Sequence, residues 1–226
     1  MGGSGGPAGS LAENPILLVS GATRTVASLS PHPRLGQFIT PRTGNDIPTI
    51  ATSGRVWAAD NDALQGLDPD AFLRMLDAIT RTDRRFLCFV AVPDAVTMTE
   101  SGPVGDWAGT RWLFASWCRA LTKRALPAAI VLQDGATHET VPWDAIAAVF
   151  VGGSDAWKEG AACRAILHAA GQRGIWRHVG RINTLRRYWA LHGCFESYDG
   201  TGFSRFPSRI AWMLDRTQQQ RFETEC

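Results

Sequence analysis

The sequence has no C-x-x-C spacing, no G-x-G-x-x-G turn after its first apolar run, and no stretch approaching the roughly 20 apolar residues that a membrane span needs. These absences argue against a dithiol redox motif, a dinucleotide-binding turn and a transmembrane helix. A basic segment followed by an apolar one is also missing from the N-terminus, so no secretory leader is expected. Charge is nearly balanced, 23 Lys and Arg against 21 Asp and Glu for a net +2, which lacks the basic excess of a dedicated nucleic-acid binder without excluding contact with one. Five cysteines (Cys88, Cys118, Cys163, Cys194, Cys226) are scattered, mostly inside apolar runs where a reduced thiol behaves as a small hydrophobe. A soluble, cytoplasmic protein with reduced thiols is the expectation.

What is present is a regular alternation. The 226 residues, 45% hydrophobic, suffice for one sizeable core. Residues 1–14 are Gly/Ser-rich and are expected to stay flexible, leaving 15–226 as one domain. Eight short β-like runs follow: Ile16–Ser20, Gln37–Thr40, Val56–Ala59, Phe86–Val92, Ala129–Leu132, Ala147–Val151, Trp176–Val179 and Glu196–Tyr198. Several are apolar on both alternating faces, as parallel strands buried between helices and a core must be. Helical patterns lie between the later ones, over Asp68–Thr80, Trp107–Lys123, Trp157–Gly171 and Thr184–His192. Strand then helix, repeated, leaves a doubly wound sheet or a closed (β/α)8 barrel. The count of eight and the missing phosphate turn favour the α/β TIM-like barrel.

In either topology the active site gathers at the C-terminal ends of the strands, so polar residues that end apolar runs are informative. Five such endings are Ala59-Asp60-Asn61-Asp62, Val92-Pro93-Asp94, Leu132-Gln133-Asp134-Gly135, Val151-Gly152-Gly153-Ser154 and Tyr198-Asp199-Gly200-Thr201-Gly202. Each alone reads equally as a strand terminator and helix cap. Five in order on one rim point to a site. A sixth, His178-Val179-Gly180-Arg181-Ile182-Asn183, adds a glycine and a cation; His178 itself reads as a hydrogen-bonded core histidine. Most of the nine tryptophans fall at helical or strand packing positions and none is assigned to the site.

These rim segments resemble those of the guanine transglycosylases, which exchange guanine in nucleic acid for a 7-deazaguanine. Asp60-Asn61-Asp62-Ala63-Leu64-Gln65 stands where the family has Asp-Ser-Gly-Gly-Phe-Gln, keeping the first aspartate and the glutamine. Leu132-Gln133-Asp134-Gly135 is similar to Val-Gln-Gly-Gly, Gly152-Gly153 to a glycine pair whose backbone faces the base, and Gly180 to the glycine of Met-Gly-Val-Gly. Tyr198-Asp199-Gly200 followed by Arg205 keeps the spacing of the family's nucleophilic aspartate and arginine, although Gly200 replaces a cysteine. A Cys-x-Cys-x-x-Cys with a later His is absent before the end at Cys226, so no zinc subdomain is implied. The Asp199-Gly200-Thr201-Gly202-Phe203-Ser204-Arg205-Phe206 segment looks most like that of the short, zinc-free, phage-type and bacterial DNA enzymes.

The resemblance implies base exchange without a cofactor or metal, on DNA in preference to tRNA. A free 7-deazaguanine such as preQ0 would be the incoming base; there would be no membrane partner, and an accessory protein is conceivable. Asp199 would attack C1′ to form a covalent glycosyl intermediate, as in retaining glycosidases, with Asp60 as acid and base. Asp94, Gln133 and a backbone N–H at Gly152 or Gly153 would read the base edge, with Gly180 beside them. Arg181 and Arg205 would lie near phosphates, with Gly200 and Gly202 leaving room for the sugar-phosphate chain. Two other readings remain open: a metal-dependent barrel hydrolase with Asp60, Asp62 and Asp94 as ligands and His178 assisting, and a catalytically silent nucleic-acid-binding relative.

Overall fold

Runs such as Ala-Ala-Ile-Val-Leu and Ala-Val-Phe-Val offer an apolar side chain to both faces of a strand, and the chain uses both. A computed structural model describes residues 8–21, 23–29, 32–43, 45–100, 102–206 and 208–224. The strands are β1 (Ile16–Ser20), β2 (Leu35–Ile39), β3 (Trp57–Ala59), β4 (Leu87–Ala91), β5 (Val96–Thr99), β6 (Gly102–Gly105), β7 (Ala128–Leu132), β8 (Ala148–Val151), β9 (Trp176–Val179) and β10 (Ser197–Tyr198). Eight of them close into a parallel barrel in the order β1-β2-β3-β4-β7-β8-β9-β10, with β10 pairing back onto β1. The fold is therefore the α/β (β/α)8 barrel, and all eight expected runs supply its staves.

The helices are α1 (Ala8–Glu13), α2 (Thr23–Ser28), α3 (Ile47–Thr52), α4 (Pro69–Thr80), α5 (Trp107–Thr122), α6 (Asp155–Lys158), α7 (Ala161–Gln172), α8 (Leu185–Leu191), α9 (Thr201–Arg205) and α10 (Ser208–Thr224). Caps fix where several begin: Asp68 accepts from the N–H of Ala71, Asp106 from Gly109 and Thr184 from Arg187. Each such cap contributes about 1 kcal/mol.

The alternation of side chains along each strand makes two cores. One residue set, including Leu17, Val19, Ile39, Trp57, Ile130 and Val149, faces the helices. The other fills the barrel: Leu18, Phe38, Ala58, Phe89, Ala129 and Phe150 are among its members. Small and large residues alternate there. The Phe38, Phe89 and Phe150 rings lie about 6 Å apart, 6.0 and 6.2 Å between centroids, and the alanines make room for them.

Three features differ from the sequence expectation. Residues 1–7 of the stretch expected to be flexible lie outside the described residues, but 8–13 form α1, whose Ala12 is buried at the lower end of the barrel. The helix expected over Trp157–Gly171 is two helices. Ser154 caps a first turn by accepting from Trp157, and the chain breaks at Gly160, which takes an extended ψ of 166°. Finally, a two-stranded antiparallel hairpin, β5–β6, intervenes between β4 and α5. No helix among the described residues is long and apolar enough to cross a membrane.

Candidate active site

Continuing each inward-facing row by two residues leads from the apolar core to a polar rim. Phe38 is followed by Thr40, Ala58 by Asp60, Val131 by Gln133, Phe150 by Gly152, His178 by Gly180 and Ser197 by Asp199. These upper residues line a cavity of about 410 Å³ at the C-terminal mouth, with Asp94, Gly153, Arg181 and Arg205 beside them. The nine residues expected to act on the sugar, the base or the phosphates thus face one mouth, whereas Gly202 and His178 do not line it. Val96, Val104 and Gly105 of the hairpin wall one side, and no tryptophan among the described residues takes part.

Asp199 ends β10. Its Oδ1 accepts the backbone N–H of Arg181 at 2.9 Å and lies 3.4 Å from Nε2 of His178. His178 is fully buried, packed against Phe38, Phe89 and Phe150 at 5.3, 5.1 and 4.6 Å between ring centroids. Ser197 Oγ accepts from Trp176 Nε1 at 2.8 Å and lies 2.9 Å from Nδ1 of His178. With Ser197 donating to Nδ1, the ring hydrogen is on Nε2, facing Asp199. Gly180 leaves space for the carboxylate: a Cβ there would stand 2.5 Å from Phe150 Cε2 and 3.3 Å from Asp199 Oδ1.

Asp60 follows β3 and accepts the N–H of Asn61 at 2.8 Å. Burial pushes its carboxyl up to about 8, reinforced by the negative charges of Asp199 and Asp94. Near neutrality it holds a proton. Asp94 is also raised by burial, against which the amides of Asn61 and Gln133 act.

The Asp94 carboxylate is gripped at both oxygens. Asn61 Nδ2 donates to Oδ1 at 2.9 Å and Gln133 Nε2 to Oδ2 at 2.7 Å. The other Gln133 hydrogen goes to the Ala95 carbonyl at 3.0 Å, and its Oε1 accepts from Thr110 Oγ1 at 2.8 Å. Thr110 in turn accepts the N–H of Ala95 at 2.9 Å. Both amide hydrogens of Gln133 are engaged, so the residue expected to read a base directly acts instead by orienting Asp94.

Two further expectations are corrected. The N–H groups of Gly152 and Gly153 both donate to the Leu132 carbonyl, at 2.9 and 3.0 Å, because the chain turns back over β7 as it leaves β8. They are not free for a ligand. Glycine is required there for packing, since a Cβ at Gly153 would meet Asp134 Oδ1 at 2.6 Å and one at Gly152 would meet Val131 Cγ1 at 2.8 Å. Likewise the space beside Gly200 is filled by Asn183 and Phe203, at 2.7 and 2.6 Å from a Cβ, and that beside Gly202 by Arg209, not by an open groove.

The two arginines part company. Arg181 sits in the left-handed region (φ 61°) and its guanidinium donates to the carbonyls of Gly152 and Gly153, the latter at 2.7 Å. It braces the rim. Arg205 closes α9 and is exposed at the edge of the mouth.

The ligand set of the hydrolase reading is not assembled. Asp62, itself left-handed at φ 63°, is paired with Arg42 at 3.3 Å, and His178 is enclosed by rings. Among the described residues no group of three His, Cys, Asp or Glu is placed to hold a metal.

Sequence reading missed Asn61 as an orienting residue, Thr110 and Lys158. Asn61 sits within the quoted Asp60-Asn61-Asp62 ending, whereas Thr110 enters from α5 without any local signal. Lys158 is fully buried, its Nζ donating to the Gly180 carbonyl at 2.7 Å. Burial, then the charge of Arg181, pushes its ammonium down to about 8, while Asp199 and Asp155 act the other way.

A larger cavity of about 1050 Å³ opens at the opposite end, lined by α1 and by Trp176, Arg177 and Glu196. Its chemistry is closed. Arg177 and Glu196 are ion-paired, and burial pushes the Cys88 thiol up to about 12. The C-terminal mouth is the candidate site.

No family model matches the chain, and no curated protein matches it. Among solved structures it is similar to the Bacillus subtilis YkuI protein, with an EAL domain, in complex with substrate c-di-GMP and calcium. The identity is 12% and the TM-score 0.35, over 89% of this chain and 49% of that one. The chain spans about half the length of that protein, and a likeness at this level carries no argument about activity.

Proposed function

We propose that the chain is a guanine transglycosylase, a pentosyltransferase that exchanges guanine in nucleic acid, DNA in preference to tRNA, for a 7-deazaguanine. The observation that carries this reading is a pair of unlike carboxyls at one mouth. Asp199 is held by the Arg181 N–H, while Asp60 keeps its proton up to about pH 8. Environments that separate two carboxyls in this way divide the roles of nucleophile and acid.

The target nucleotide leaves the stack and enters the mouth. An Asp199 oxygen bonds to C1′ as the C1′–N9 bond breaks, and the departing guanine takes the proton of Asp60. The incoming base then gives its N9 proton to the Asp60 carboxylate and its N9 bonds to C1′, releasing Asp199. Asp60 ends as it began, and no oxidant, metal or cofactor enters the balance. Asp94, fixed by Asn61 and Gln133, presents acceptors to the N–H donors of a guanine-like edge.

The test is parallel incubation of guanine-labelled DNA and tRNA with a 7-deazaguanine. Label release on its addition supports the reading. Binding without release points to a silent relative.

A further inference from the structure

The sequence contains two lysines, Lys123 and Lys158, and one of them is sealed inside the protein. Burying an ammonium is costly unless a counter-charge or hydrogen bonds compensate. Among the described residues Lys158 hydrogen-bonds to the uncharged Gly180 carbonyl, so its counter-charge must be found among the groups around it.

Five charged or titratable groups face it. Asp155 lies on its own helix, Cys163 on α7, Arg187 on α8, Arg181 after β9 and Asp199 after β10. Arg187 is already paired with Asp155 at 2.6 Å and Glu159 at 3.3 Å. The Arg181 guanidinium is engaged by the carbonyls of Gly152 and Gly153. Burial pushes the Cys163 thiol up to about 12, so it remains neutral. Among the described residues Asp199 has no Lys or Arg ion pair, its nearest ring partner being Nε2 of His178 at 3.4 Å, whereas Asp155 is held by Arg187.

We propose that Lys158 is a positioning residue for Asp199: its buried ammonium fixes the Gly180 carbonyl and supplies the positive charge that stabilises the Asp199 carboxylate in the mouth. The Gly180 bond supports the second half of the device, because Gly180 precedes Arg181, whose N–H holds Asp199. Moving that carbonyl moves the N–H. The inference rests on the proposed role of Asp199, but the coupling of the two charges is measurable without any substrate.

The experiment labels both lysines with 13C at Cε and follows them by NMR across pH, with exposed Lys123 as the reference. Lys158 should titrate near 8 in the natural chain. In D199N its midpoint falls by about half a pH unit or more, since removing a nearby anion disfavours the ammonium. D155N moves it less. An unchanged midpoint in D199N, or a larger shift in D155N, overturns the proposal. A second arm measures exchange in K158Q, which retains an N–H for Gly180 but no charge. Displacement of the acidic limb of the pH–rate profile to higher pH supports the charge role, and a uniform loss at every pH overturns it. If the natural chain exchanges no base, the functional reading fails and the titration still decides the coupling.

Discussion

The backbone N–H of Arg181 donates to Oδ1 of Asp199 over 2.9 Å, which ties the direction of the proposed nucleophile to the turn that follows β9. Arg181 is left-handed at φ 61°, a conformation costing a non-glycine residue roughly 1–2 kcal/mol. The bonds of its guanidinium to Gly152 and Gly153 help offset that cost. Gly180 must then lack a side chain. Gly180→Ala would put a Cβ 2.5 Å from Phe150 Cε2. We expect a stability loss of about 1–3 kcal/mol from overpacking and, with Asp199 displaced, roughly a hundredfold lower exchange rate. Denaturant melts and single-turnover rates read both; full activity would contradict this account of Gly180.

Asp94 is expected to select the base without anchoring the polymer. Asp94→Ala should flatten the preference among guanine analogues while changing nucleic-acid affinity by less than about twofold, because sequence-blind affinity comes from backbone contacts. Competition assays with free bases and binding titrations separate the two. Thr110→Val should copy part of the selectivity defect from a distance, since it leaves Gln133 Oε1 without its donor.

The pH dependence of stability follows from Asp60. Its carboxyl holds a proton up to about 8 in the folded chain, against 3.8 for an ordinary aspartate, the value it regains on unfolding. The folded state therefore binds more protons across that window. The contribution is fully present below 3.8 and is lost as pH rises through 8. Asp60→Asn should flatten the decline between pH 5 and 8 by up to about 4 kcal/mol and abolish acid assistance in exchange. An unchanged slope in thermal melts would contradict the raised value.

The arginines should separate by salt dependence. Arg205→Ala should weaken nucleic-acid binding and reduce the slope of log affinity against log salt by about 1, as for the loss of one phosphate contact. Arg181→Ala should leave the slope unchanged, because its guanidinium is already bound to two carbonyls.

Much of this architecture is written locally. The runs Ala129–Leu132 and Ala147–Val151 are apolar throughout because both faces are buried, and Asp60, Gln133 and Asp199 stand two residues beyond an inward core position, where period-two alternation must turn from core to mouth. What was not legible depends on partners far along the chain. Whether Gln133 reads a base or holds Asp94 is decided by Thr110, 23 residues before it. The N–H groups of Gly152 and Gly153 are committed by the carbonyl of Leu132, which no spacing announces. Lys158 has no local signal: its burial depends on the Gly180 carbonyl, 22 residues along the chain. α1 was hidden in a Gly/Ser-rich stretch because its few apolar residues pack only against the lower end of the barrel.

The central claim is that Asp199 forms a covalent bond to C1′. The direct measurement is mass spectrometry of denatured protein after incubation with guanine-containing DNA, in parallel with tRNA, in the absence of an incoming base. The natural chain should carry a nucleic-acid adduct whose linked peptide contains Asp199, and Asp199→Asn should carry none while melting at a similar temperature. Base exchange at the natural rate in Asp199→Asn, or an adduct mapped to another residue, would contradict the account.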